Sequence, residues 1–437
     1  MSANFQKGSG KGAGNKQRVI VVGGGFAGLN FVIKLFKNKD FEVVLVDKNN
    51  YNYFTPLLYQ VATSFLDPSS ISYPFRKLFR DKGVSFRMAK LLSVDTVNRT
   101  IELSNGRLSY DHLVFASGSK TNFFGNEELR KKTLSLKGID DAIYMRNELV
   151  KTMEKAAVEQ DPAERKRLLT IVITGGGPTG VEVAGMLAEM RKYILWKDYP
   201  ELENSEAEIH IVDGSPALLA PMSDKTHADA YATLSRLGVK IRLNTRVASY
   251  DGTTVHFSEG DPIECRTLIW AAGVTANVYK GIPSTSLGAG NRMITDVYNQ
   301  VKDLENVWAI GDISIQETDA AYPKGHPQLA QPAIQQGKTL AKNFRRAGKG
   351  RPMKPFKYFD RGEMAIIGRR HAYADLFKHR LHLRGLLGLL GWLFIHLISL
   401  VNYNNKIKTL YGWVVAYFTK DQVLRMIFRS RAGSRQS

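Results

Sequence analysis

The feature that most constrains this chain is a glycine pattern that occurs twice. In RVIVVGGGFAGLNFVIKLF, Gly23-x-Gly25-x-x-Gly28 lies between a β-branched run and a segment with helical apolar spacing. In LLTIVITGGGPTGVEVAGMLAEM, Gly175-x-Gly177-x-x-Gly180 repeats that order of strand, tight turn and helix. The first glycine permits the turn, the second lets backbone approach a pyrophosphate, and the third lets the helix pack close to the strand. Free N–H groups at the helix N-terminus then face the phosphates. A second strand, EVVLV, ends at Asp47, 19 residues beyond Gly28, where a carboxylate accepts hydrogen bonds from a ribose. In the second copy EIHIV ends at Asp213, 33 residues after Gly180, because RKYILWKDYPELENSE lengthens the helix and its exit loop. An acid there repels a 2′-phosphate, so NADH is expected over NADPH.

Composition narrows what surrounds these units. The 437 residues, 43% hydrophobic, fill two or three domains. A formal net charge of +20 calls for an anionic partner, and nucleic acid, anionic lipid and dinucleotide phosphates all qualify. Cys265 is the sole cysteine, which excludes a disulfide framework, a Cys-x-x-Cys redox pair and a multi-cysteine metal site, so no metal is expected. Its place before a β-branched run suits a small core residue. Residues 1–17, rich in Gly, Ser, Lys and Asn, read as a disordered tail without the apolar stretch of a secretory signal.

Further motifs follow the glycine patterns: YDHLVFASGS at 110–119, TLIWAAGV at 267–274 and NVWAIGD at 306–312. With them the chain resembles the two-dinucleotide-binding flavoproteins. FTPLLYQVAT at 54–63 and AQPAIQQG at 330–337 further resemble the type II NADH:quinone oxidoreductases, from about Arg18 to the C-terminus. The resemblance implies an α/β chain with two Rossmann-like, glutathione-reductase-like domains, the second inserted in the first, plus C-terminal amphipathic helices. Its expected segments are an FAD-binding domain at 18–137 and 279–350, an NADH-binding domain at 138–278 and a membrane-attachment region at 351–437. FAD would be held by Gly23, Gly25, Gly28, Asp47, Gly118, Gly311 and Asp312, with Asp312 on the ribityl chain. NADH would be held by Gly175, Gly177, Gly180, Asp213 and Gly273. Gln331 and Gln335 would lie near the isoalloxazine and the quinone entrance, although a Gln pair on a solvated helix face is the plainer alternative. Glu182 matches a glutamate beside nicotinamide and flavin, and it also suits a helix start by dipole alone. Many relatives carry histidine after the first acid, whereas this chain reads NNYNYFTP.

The C-terminal region bears on membranes. Gly385 to Val401 reads GLLGLLGWLFIHLISLV, seventeen residues without a formal charge. As a helix it spans roughly 25 Å against a hydrocarbon core of roughly 30 Å. Gly385, Gly388, Trp392, His396 and Ser399 form one small-to-polar stripe opposite a Leu/Ile/Phe face, which favours lying in the interface. His396 suits either a quinone contact or a bond to a neighbouring carbonyl. Beyond it Trp413, Tyr417, Phe418 and Ile427 alternate with Lys406, Lys408, Lys420, Arg425 and Arg429, a pattern for the acyl boundary and lipid phosphates. The expected activity is FAD-dependent oxidation of NADH with reduction of a membrane quinone and no proton pumping. The enzyme would be a peripheral homodimer on the cytoplasmic face of the plasma membrane, without nucleic acid. Two alternatives stay open: a soluble NADH-dependent ferredoxin or rubredoxin reductase, and a binding flavoprotein of the apoptosis-inducing type.

Overall fold

The computed structural model describes residues 16–202, 206–377, 379–419 and 424–427. Most of the expected tail, and Lys420 and Arg429, fall outside these residues. Gln17, placed in that tail by composition, begins the first strand.

The chain forms two compact units, each built on a five-stranded parallel sheet. The first comprises residues 1–53, 73–120 and 274–360. Its sheet runs Val307–Ala309, His112–Phe115, Gln17–Val22, Phe41–Asp47 and Val84–Met88. The glycine strand is central, with the next strand of the chain, Phe41–Asp47, on one side and the much later His112–Phe115 on the other, so the strand order reverses here. That is the switch point at which open α/β sheets bind ligands. Alternation along these strands fills two cores. Val19, Val21, Val43 and Leu45 pack with the helices Phe26–Leu35 and Ala330–Gly348. Ile20, Val22, Val44 and Val46 face Ile101, Leu103, Ile282 and Val307 on the other side.

The second unit comprises residues 54–72, 121–273 and 361–437. Its sheet repeats the order with Leu134–Ser135, Thr267–Trp270, Ile171–Thr174, Ile209–Val212 and Val239–Arg242. These boundaries differ from the expected 137/138 and 278/279. Leu134 and Ser135 pair with Ile269 and Trp270, which draws residues 121–137 into the second unit. Residues 54–72 join it as well, because Asn405 donates to the carbonyls of Ser69, Ser70 and Ser72.

An antiparallel sheet, Glu363–Ile367, His371–Leu376 and Leu381–Leu383, leads to the helices Gly385–Ser399 and Tyr403–Thr419. A Cβ on Gly185 would lie 2.9 Å from Ile367 Cγ2, so glycine lets this sheet lie on the helix Pro178–Met190. Asp375, fully buried, accepts from Ser223 N and Thr226 Oγ1 and contacts His382 Nδ1 at 2.8 Å, clasping the sheet to the helix Asp224–Arg236.

Both C-terminal helices expose large apolar side chains on the face away from the unit. Gly388, Leu389 and Trp392 are buried on the first, whereas Leu386, Leu387 and Phe394 are 62–69% exposed. On the second, Asn405, Thr409, Trp413 and Ala416 are buried, and Ile407 and Tyr411 are 65% and 70% exposed. Trp413, expected at the acyl boundary, instead points inward, because its indole N–H donates to buried Gln60. Arg425, expected on lipid phosphate, pairs with Asp198 at 2.6 Å. Tyr417 and Phe418 do face outward. His396 takes the carbonyl alternative: its Nδ1 lies 2.8 Å from Trp392 O, and burial pushes its pKa down to about 4, which keeps the ring neutral. Among the described residues no helix is long and apolar enough to cross a membrane.

Candidate functional site

The two glycine turns have the same geometry. Gly23 has φ +104° and Gly175 has φ +111°, values that favour glycine. Gly23 N donates to Val46 O at 2.8 Å, and Gly175 N to Val212 O at 2.8 Å, so each turn is sewn to the strand that ends in the acid. A Cβ on Gly28 would collide with Gly23 O, and one on Gly180 with Gly175 O. Gly25 and Gly177 face open space, with nothing within 4 Å of an added Cβ. Each is the N-cap of its helix, and neither end has a side-chain cap. The result is two concave backbone cradles with amides left for an anion, which fits the pyrophosphate of a dinucleotide.

The acids brace these turns. Asp47 accepts from Gly24 N at 2.7 Å and Asn49 N at 2.8 Å, and Asp213 accepts from Gly176 N and Ser215 N. Burial raises the pKa of Asp47, against the lowering effect of those backbone bonds and of Lys48. Asn52, in the loop after Asp47, donates to Gly24 O at 2.7 Å and is a brace the sequence did not single out.

Elsewhere in the first unit, Gly311 has φ +77° and Gly118 has φ +68°. Ser119 Oγ donates to Asp312 Oδ2 at 2.8 Å, which brings the 110–119 and 306–312 motifs together. On the helix Ala330–Gly348 the sequence pointed to Gln331 and Gln335. Gln331 is half-buried in the first turn. The amide of Gln335 clamps Phe359, accepting from the backbone N at 3.0 Å and donating to the carbonyl at 2.8 Å. The missed residue is Gln336, buried, whose Oε1 accepts from Gly311 N at 2.7 Å. One residue's rotation about the helix decides which Gln reaches the Gly311 turn, and the burial stripe of Pro332, Ala333, Gln336 and Leu340 is the signal that finds it.

In the second unit, Gly273 has φ +81° and its carbonyl accepts from Asn122 N at 3.3 Å. Glu182 is 8% exposed, and burial holds its carboxyl well above the usual range. Glu189, two turns on, is charge-paired instead, with Arg369 Nε at 2.8 Å. Cys265 is buried and its thiol is pushed up to about 12 by burial, which makes it an inert core residue.

The family description "Pyridine nucleotide-disulphide oxidoreductase" matches residues 17–337. The type II NADH:quinone oxidoreductase NdhA of Mycobacterium tuberculosis is 34% identical over 422 residues, covering 92% of this chain and 88% of that protein. The type II NADH:quinone oxidoreductase of Haemophilus influenzae is 26% identical, covering 82% and 87%. Among solved structures, NDH2 from Plasmodium falciparum in complex with NADH superposes with a TM-score of 0.86 at 20% identity, covering 95% and 100%. With paired dinucleotide cradles and this similarity along nearly its whole length, the chain belongs to the pyridine nucleotide-disulphide oxidoreductases and, within them, to the type II NADH:quinone oxidoreductases.

Proposed function

We propose that this FAD-dependent NADH dehydrogenase passes its electrons to a membrane quinone, without pumping protons, as a peripheral enzyme on the cytoplasmic face of the plasma membrane. The observation that carries this reading is the run of large apolar side chains exposed on the helices Gly385–Ser399 and Tyr403–Thr419, among them Leu386, Leu387, Leu390, Phe394, Ile407 and Phe418. Each large apolar side chain moved from water into lipid contributes roughly 1.5–3 kcal/mol, so a row of them favours a bilayer surface. A soluble ferredoxin-type reductase has no use for such a face. Among the described residues no helix is long and apolar enough to cross a bilayer, which fits electron transfer without a transmembrane proton route.

Gly23, Gly25 and Gly28 cradle the FAD pyrophosphate, Asp47 takes its ribose, and Asp312, oriented by Ser119 and Gly118, takes the ribityl chain. Gly175, Gly177, Gly180, Asp213 and Gly273 serve NADH in the second unit. Bound flavin supplies acceptance of two electrons from a hydride donor and their release to an acceptor. In the first unit Gln331 is the candidate contact on the flavin side, and in the second unit the buried carboxyl of Glu182 is the candidate proton donor to an acceptor oxygen.

Flotation of the full chain with phospholipid vesicles tests the membrane reading. Binding is expected, and replacing Leu386, Leu387 and Phe394 by serine should abolish it while the protein stays yellow. A wild-type protein that remains below the vesicles would overturn the reading.

A further inference from the structure

In the first unit, residues 314–329 form a closed loop between the Asp312 turn and the helix that begins at Ala330. Arg292 staples its two ends, donating from Nε to Ser314 O at 2.8 Å and from Nη2 to His326 O at 3.0 Å. Gly325, at φ +80°, lets the loop lie close on Ile315, since a Cβ there would meet Ile315 Cγ1 at 2.5 Å. Across the middle, His326 Nε2 lies 3.0 Å from Asp319 Oδ2, while Asp319 Oδ1 accepts from Ala321 N at 3.0 Å. The carboxylate is an acceptor on both oxygens, so Nε2 carries the hydrogen. His326 is 2% exposed, and the rings of Tyr322, Phe356 and Tyr358 stand 5.2–5.7 Å from its own. Nδ1, buried in that aromatic cage, has no hydrogen-bond partner among the described residues. A half-satisfied polar ring is less stable in such a cage than phenylalanine would be. The histidine therefore lowers stability where it sits, which points to a use for its Nε2–H.

The far end of the loop meets the candidate flavin site. Two residues past His326, Gln328 Nε2 donates to Asp312 O at 3.1 Å. Asp312 is then held at three points: its carbonyl by Gln328, its Oδ2 by Ser119, and the preceding N–H of Gly311 by Gln336. No bond from the described residues reaches Oδ1, which leaves that oxygen for a ligand hydroxyl. We propose that His326 is a positioning residue for the flavin: its bond to Asp319 closes the loop so that Gln328 fixes Asp312 with Oδ1 presented to the ribityl hydroxyls. The inference rests on the reading of Asp312 as the ribityl carboxylate given above. A carboxylate already held in place loses no freedom on binding, so loosening the loop weakens the hold on FAD without removing the site.

The test follows release of FAD from the diluted holoenzyme by the fluorescence of the free cofactor. Asp319→Ala and His326→Phe each break the bond, and phenylalanine keeps the cage filled. Each should speed release by roughly three- to tenfold, the range one hydrogen bond is worth. The double variant should be no faster than the faster single one, because both changes cut one link. His326→Gln, which restores an N–H donor near the Nε2 position, should come within about twofold of wild type. KM for NADH should stay within about twofold in every variant, since the whole loop lies in the first unit. The visible absorbance of each variant before dilution reports that it has folded around its flavin. Release as slow as wild type from either Asp319→Ala or His326→Phe would overturn the proposal. So would release from His326→Gln as fast as from His326→Phe, because packing of the ring rather than its donated hydrogen would then be at work. Asp312→Ala that releases FAD no faster than wild type would instead overturn the reading of Asp312 as the flavin's carboxylate.

Discussion

The two glycine cradles share a backbone and differ in the helix that follows. Around Gly23 and Gly175 the turn dihedrals, the hydrogen bond to the neighbouring strand and the acid's grip on the middle glycine are almost superposable. Behind them, the helix Phe26–Leu35 buries only Ala27, Gly28, Leu29, Phe31, Val32 and Leu35, whereas the helix Pro178–Met190 also buries Glu182 and Glu189. Holding a dinucleotide is thus a backbone property that can be copied. The buried carboxyls are a side-chain property added to one copy.

The sharpest way to break the comparison is to fill one cradle at a time. A valine at Gly28 or Gly180 drives a side chain into the carbonyl of the first glycine, an overpacking that costs about 1–3 kcal/mol or more. Gly28→Val should yield colourless protein. Gly180→Val should stay yellow, with its flavin no longer bleached by NADH. The visible spectrum before and after NADH distinguishes them, and the same outcome for both variants would contradict a division of labour between the cradles.

A smaller effect separates the helices. Glu182→Gln keeps size and neutrality but removes the proton, so turnover should fall roughly tenfold to hundredfold while flavin stays bound. The variant also reports the titration. Glutamate in the unfolded chain titrates near about 4.3, and burial raises it in the fold. The folded protein therefore holds that proton as pH rises, and wild-type stability falls through the interval between the two values. The melting temperature of Glu182→Gln relative to wild type should climb as pH rises above about 4.3. A constant difference would mean that Glu182 is not held neutral by burial.

The smallest expected effect lies at the acid of the second cradle. Asp213→Asn keeps an acceptor for one of the two backbone amides while removing the charge that opposes a 2′-phosphate. The ratio of kcat/KM for NADPH to that for NADH should rise about tenfold, as expected when a like-charge contact is removed. An unchanged ratio would leave Asp213 as a turn brace alone.

Much of this was legible in the sequence because the cradles are local. Glycines at fixed spacing, β-branched runs and a terminal acid specify a strand, a turn and a helix without help from distant residues. What was not legible depends on long-range packing. Gln335 and Gln336 are adjacent, and only the helix's seat on its sheet decides which amide reaches Gly311. The unit boundary moved because Leu134–Ser135 adds a short edge strand to the second sheet, a pairing that two residues cannot announce. Trp413 read as a membrane aromatic until Gln60, 353 positions earlier, supplied a partner for its N–H. The stripe along Gly385–Ser399 was readable in its middle, where Gly388 and Trp392 are buried, but not at its ends, where Gly385 and Ser399 are exposed.

Anaerobic addition of NADH to the purified full chain, followed by a soluble quinone, tests the central claim most directly. The account predicts bound flavin whose visible band bleaches with one equivalent of NADH and returns on addition of quinone. A folded protein that carries no flavin, or whose flavin stays oxidised in NADH, would contradict it.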